Sequence, residues 1–211
     1  MSANSIERQG VYGKLHLKEK IGYGMGDAGS CMIWSVLALY LTWFYTDVYG
    51  LAPGVVGTLF LVIRIFDAFS DPVMGAICDR TRSRWGKFRP WLLWMALPFG
   101  LGAVLMFTTP DLSMNGKIVY AWVTYLVMSL IYTAINIPYC SVAGVITLNQ
   151  KERLGCLSWR FFLNGLATLI VSSSILPLTD WLGNGNRAAG FQLTMVIMGG
   201  AATLMFFFCF A

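Results

Sequence analysis

Polar residues in this chain come in short clusters. Between them lie apolar runs at about residues 28–46, 54–78, 91–109, 118–147, 156–182 and 188–211. Each run is close to or above the roughly 20 residues an α-helix needs to cross a bilayer. The pattern predicts an all-α membrane protein with six transmembrane helices, the longer ones tilted or extended past the lipid. The intervening clusters, such as "TDVYGLAPG", "TTPDLSMNGK" and "DWLGNGNR", carry the Gly, Pro, Asn and Asp of turns.

Composition agrees with that reading. The chain is 57% hydrophobic and 12% charged, with mean hydropathy +0.65, whereas soluble domains are roughly 45–50% apolar and about 25% charged. The net charge of +5 does not point to nucleic acid, because the basic residues alternate between breaks. Arg8, Lys14, Lys18 and Lys20 precede the first span, Arg80, Arg82, Arg84, Lys87 and Arg89 follow the second, and Lys151 and Arg153 follow the fourth. The opposite breaks hold only Lys117 and Arg187. The positive-inside bias then places the N-terminus in the cytoplasm. Residues 1–20 read as an uncleaved cytoplasmic tail rather than a signal peptide. The last span runs to Ala211 without a polar flank, so the chain is expected to stop short of the cytoplasmic loop that the alternation demands.

Catalytic chemistry has little to work with. The one histidine, His16, falls in the tail, and Cys31, Cys78, Cys140, Cys156 and Cys209 show no metal-ligand spacing, so they read as small hydrophobes. An intramembrane hydrolase is a remote alternative, since no Ser–His pair or zinc set exists in the spans.

The second span holds "RIFDAFSD", where Arg64, Asp67 and Asp71 are spaced i, i+3 and i+7 and project from one helix face. Three such charges cost about 8–10 kcal/mol at mid-bilayer, while the span's Leu, Ile, Val and Phe residues return only about 4–7 kcal/mol. That face must therefore meet other helices or water. Either Arg64 pairs with one aspartate and pins helices together, or the two carboxylates offer oxygen ligands to a small cation or share a proton. Intramembrane ionisable residues favour the second, and one arginine cannot neutralise both acids. Further polar positions lie in the spans. Asp27 follows Gly22, Gly24 and Gly26 and precedes Gly29, glycines that permit close helix contact. Asn136 and Pro138 lie deep in span four, where the proline removes a backbone hydrogen bond. Arg160, beside Trp159 and Asn164, enters span five and either snorkels or binds.

Together "GYGMGD", "YTDVYG", "RIFDAFSDPVMGAICDRTRSRWGKFRPW" and "YTAINIPYC…RLGCLSWRF" resemble the glycoside–pentoside–hexuronide:cation symporters of the major facilitator superfamily, which include the melibiose and glucuronide carriers. The resemblance implies twelve spans in two halves, each a 3+3 inverted repeat with the sugar site between them, and this chain matches the N-terminal half. It assigns the coupling cation to Asp67 and Asp71, a possible Na⁺ site, with Thr133 assisting and Ser70 where melibiose-type carriers have asparagine. It assigns sugar contacts to Arg64, Tyr132, Asn136 and Arg160. Asn136 and Cys31 replace aspartates of the melibiose type, and Asp27 is a candidate to take over a polar role. The loop "GAICDRTRSRWGK" resembles the superfamily's loop between spans two and three. Its Asp79, Arg80 and Arg84 are then gating ion-pair candidates as well as topology determinants.

The resemblance implies an inner-membrane half-transporter for cation-coupled symport of a glycoside or related sugar. No cofactor is expected, the coupling ion is H⁺ or Na⁺, and a second six-helix half completes the carrier. The rival reading is a truncated product or partner half with no transport of its own.

Overall fold

In the computed structural model, residues 15–84, 87–147 and 149–210 are described. The chain forms α1 (Leu17–Trp43), which runs on as a π-helical segment (Phe44–Val48), then α2 (Pro53–Arg80), α3 (Arg89–Met106), α4 (Met114–Ile146), α5 (Gln150–Gly183) and α6 (Arg187–Phe210). All six are long and apolar enough to cross a membrane, so the protein is a multi-pass, all-helical membrane protein. Helix starts follow local chemistry. Pro53 and Pro90 occupy first-turn positions, where a missing N–H costs nothing. Ser113 Oγ accepts from Gly116 N, and Asn149 Oδ1 accepts from Lys151 N, capping α4 and α5. Asn184 (φ 43°) and Gly185 (φ 91°) turn α5 sharply into α6.

The first helix begins earlier than the apolar pattern predicts. Lys18, Glu19 and Lys20 form its first turn, and Glu19 Oε2 accepts from His16 N at 2.7 Å. Thus Leu17–Lys20, read as tail, are helical, while residues 1–14 of that tail lie outside the described part. Pro72, Pro98, Pro138 and Pro177 all sit inside helices that continue through them.

Helix contacts repeat with a hidden symmetry. α1 packs on α5 and α6, α4 packs on α2 and α3, and α3 packs on α6. Exchanging α1 with α4, α2 with α5 and α3 with α6 maps these contacts onto one another, as a 3+3 repeat requires, whereas the further packing of α5 on α6 has no equally extensive α2–α3 counterpart. α3 and α6 approach closely through paired glycines. A Cβ on Gly199 would lie 2.9 Å from Gly100 O, and one on Gly100 would lie 2.9 Å from Gly199 O, so only glycine lets α3 and α6 pack this tightly. In α1, Gly24 and Gly26 press against Leu163 and Tyr139 in the same way. Gly22, also expected at a contact, has open space around it.

The core runs along α1, α3 and α6, with Val36, Phe99, Ala202 and Phe206 fully enclosed. At the end of α1 the π segment places Phe44 4.8 Å from Phe107, which stacks at 5.8 Å on Phe191. α2 and α5 contribute least to this core, with 17% of their apolar windows buried against 61% for α1. Their outer faces carry Leu61, Phe66, Phe69, Phe161, Phe162 and Leu169. Such surface is stable in lipid or against another helical unit, not in water.

Candidate cation and sugar site

α2 presents Asp67 and Asp71 one turn apart, and α4 presents Ser129 and Thr133 one turn apart. Where the helices meet, the four side chains form two rungs. Ser129 donates its hydroxyl to Asp67 Oδ1, and Thr133 Oγ1 donates to Asp71 Oδ1 at 2.9 Å. Each carboxylate keeps a second oxygen for another ligand. Arg64 stands a turn away, with Nη1 4.0 Å from Asp67 Oδ2. Its side chain is 65% exposed and that of Asp67 is 19% exposed, so the guanidinium touches the edge of the carboxylate without sealing it. Among the described residues no three His, Cys, Asp or Glu side chains gather into a metal-binding group. A cation here would rest on two carboxylates and hydroxyl oxygens, a hard-donor set suited to H⁺ or Na⁺.

Ser70 points its hydroxyl back to Asp67 O of its own helix at 3.3 Å. Ser129, unremarked in the sequence, takes the position beside Asp67 instead. No sequence signal marks it, because a serine in an apolar helix most often bonds its own backbone.

A second polar cluster joins α1 to α5. Asp27 is 7% exposed; its Oδ1 accepts from Arg160 Nη2 at 3.0 Å and its Oδ2 from Asn164 Nδ2 at 2.7 Å. Arg160 is therefore held inward rather than snorkelling, with its guanidinium 5.2 Å over the Tyr139 ring. Tyr139 in turn stacks on Tyr23 at 4.8 Å and donates to Tyr23 O at 2.6 Å. Trp159 takes no part and packs edge-on against Phe162. Cys31 corrects the expectation that every cysteine is a small hydrophobe. Its sulfur lies 3.0 Å from Thr168 Oγ1 and 3.3 Å from both Ser35 Oγ and Asn164 Oδ1, extending the polar seam by one turn. All five cysteines are free, and Cys140 is exposed, 3.7 Å from Asn136 Oδ1.

Tyr132 and Asn136 lie a turn apart on α4. Tyr132 stacks face to face on Trp34 of α1, with centroids 4.3 Å apart and planes 13° apart. Trp34 also carries the Arg64 guanidinium 5.7 Å over its ring. Beyond them lies a cavity of about 300 Å³ between α1, α2 and α4, lined by Trp34, Leu41, Thr42, Phe60, Arg64 and Tyr125. The structure thus brings Asp67, Asp71 and Thr133 together, and joins Asp27 to Arg160. Asp79 and Arg80 are exposed at the C-terminal end of α2, with Arg84 in the turn beyond. Trp91 Nε1 donates to Thr81 Oγ1 at 3.2 Å, tying that end of α2 to α3.

A family model described as MFS/sugar transport protein matches residues 22–211. The chain is 51% identical over 196 residues to the inner membrane symporter YicJ of Escherichia coli (strain K12), covering 93% of this chain and 43% of that protein. It is 40% identical over 195 residues to the isoprimeverose transporter of Lactiplantibacillus pentosus, covering 92% and 41%. With the glucuronide carrier protein homolog of E. coli it shares 32% identity over 191 residues, covering 90% and 42%. The chain spans less than half the length of these relatives.

Proposed function

We propose that this chain, which belongs to the MFS/sugar transport protein family, is the first six-helix half of a carrier that couples a glycoside or related sugar to H⁺ or Na⁺. The observation that carries the reading is the pair of α2 carboxylates, each held by an α4 hydroxyl and neither closed off by the nearby arginine.

Asp67, Asp71, Thr133 and Ser129 bind the cation, and Ser70 shapes the backbone beside them. Two anionic carboxylates a turn apart repel, and cation entry relieves that repulsion. Sugar hydroxyls bond to Asn136, to the Asp27–Arg160 pair and to Arg64, against the Tyr132 face. Arginine and carboxylate present their paired donors and acceptors at fixed geometry, as a polyol requires. Coupling follows if the unneutralised carboxylates disfavour the conversion between outward and inward openings, a differential effect on two states. The sugar crosses chemically unchanged, so the protein is a carrier and not an enzyme.

The weakly buried faces of α2 and α5 are where a second six-helix unit docks. The N-terminus lies in the cytoplasm, and Asp79, Arg80 and Arg84 at the cytoplasmic end of α2 hold one gate state through ion pairs with neighbouring helices. The test is uptake of a panel of labelled glycosides by membrane vesicles carrying the protein as its gene encodes it, with and without Na⁺ and at two pH values. Cation-stimulated uptake of at least one glycoside supports the reading. Hydrolysis of a glycoside by the purified protein, or uptake indifferent to both ions, overturns it.

A further inference from the structure

Trp34 belongs to no motif, yet its ring meets both Tyr132 and Arg64, the residue that also reaches the cation-site carboxylate of Asp67. One of its neighbours is Tyr132, stacked at 4.3 Å with planes 13° apart. Another is the Arg64 guanidinium, 5.7 Å from the ring centroid. Arg64 also reaches Asp67 at 4.0 Å, the outer limit of an ion pair. So the guanidinium lies between two attractors, a carboxylate and an indole face, and is bound firmly by neither. Tyr132 is followed directly by Thr133, which holds Asp71.

We propose that Trp34 is a positioning residue through which cation occupancy of Asp67 and Asp71 is felt at Tyr132, with Arg64 as the moving part. The proposal rests on the symport reading above. With the carboxylates unneutralised, Asp67 competes for the guanidinium. A bound cation cancels that attraction, and the indole face becomes the better partner, because arginine over tryptophan is favourable even without a counter-charge. Tightening Arg64 onto one side of Trp34 presses the ring against Tyr132, whose orientation toward the sugar is then set by the ion. The indole can respond because the cavity of about 300 Å³ beside it leaves room for the ring and the arginine to shift. Both sites bias one element with two arrangements, which is what physical coupling requires.

The test uses the protein labelled with 5-fluorotryptophan and followed by ¹⁹F NMR in detergent. The resonance missing in Trp34→Phe belongs to Trp34. The cation alone is the probe, supplied as NaCl or as a fall in pH, and calorimetry on the same samples records whether it binds. The expected result is a shift of the Trp34 resonance that follows the binding isotherm and vanishes in Arg64→Gln even at cation concentrations at which calorimetry shows that variant to be saturated. Binding heat abolished by Asp71→Asn together with a Trp34 resonance that never moves overturns the relay and leaves the symport reading standing. Absence of any binding heat from Na⁺ or protons overturns both. A shift that persists undiminished in Arg64→Gln overturns the role given to Arg64, and with it the proposal.

Discussion

Replacing Arg160 with glutamine, Asp27 with asparagine, and then both together forms a double-mutant cycle on the most enclosed ion pair among the described residues. The partners are 3.0 Å apart, with the Arg160 side chain 19% and the Asp27 side chain 10% exposed. Removing one member of a buried pair costs about 3–5 kcal/mol, because the other charge is left without compensation. Two features lower that figure here. Asn164 continues to donate to Asp27 Oδ2, and the arginine keeps some solvent contact. Each single change is therefore expected to destabilise the bundle by about 2–3 kcal/mol. The double variant leaves two neutral amides that bond to one another, so it should lose less than the sum of the singles by about 1.5–2 kcal/mol. Denaturant unfolding in mild detergent, followed by tryptophan fluorescence, measures all three. Strictly additive losses would refute the reasoning, since they would mean that α1 and α5 do not meet through this pair. Sugar binding supplies the second readout. If the pair also contacts sugar, the double variant should remain defective in binding although much of its stability returns.

Gly199→Val should lower stability by about 1–3 kcal/mol, because its side chain would run into the Gly100 carbonyl, and the unfolding assay reads this directly. Thr133→Val and Ser129→Ala each remove a hydrogen bond to a carboxylate and should weaken cation binding about tenfold or more, at about 1.5–3 kcal/mol per bond, as measured by calorimetry. Ser70→Ala should have a much smaller effect, because that hydroxyl is turned to its own helix. Topology is testable with impermeant thiol reagents in a variant lacking its native cysteines. A cysteine at Asp111 should react in intact cells and one at Arg82 only after permeabilisation, and the reverse pattern would invert the assigned orientation.

The fold was largely legible because membrane insertion writes itself in runs of apolar residues long enough to span lipid. The early start of α1 has a physical origin. Lys18, Glu19 and Lys20 are too polar for lipid but are good helix formers, so a hydropathy pattern ends where the helix does not. The shared face of Arg64, Asp67 and Asp71 was legible for a geometric reason, since their spacing allows nothing else on a helix. What α4 sets against them was only half visible. Thr133 came from resemblance, but Ser129 could be found only by knowing the register of α2 on α4, which periodicity does not specify. The same holds for Cys31 and Trp34. A thiol reads as apolar until its neighbours are known to be Thr168 and Asn164, and a tryptophan in a membrane span reads as lipid-facing until it is found on Tyr132. The π-helical end of α1 also left no trace in the pattern.

The most direct test of the central claim is accumulation of a transported glycoside against its gradient in vesicles under an imposed Na⁺ or proton gradient, compared among the unmodified protein, Asp67→Asn and Asp71→Asn. Accumulation in the unmodified protein, lost in both variants while sugar exchange down its gradient persists, is the predicted result. Undiminished accumulation in both variants would contradict the claim that these carboxylates bind the driving ion.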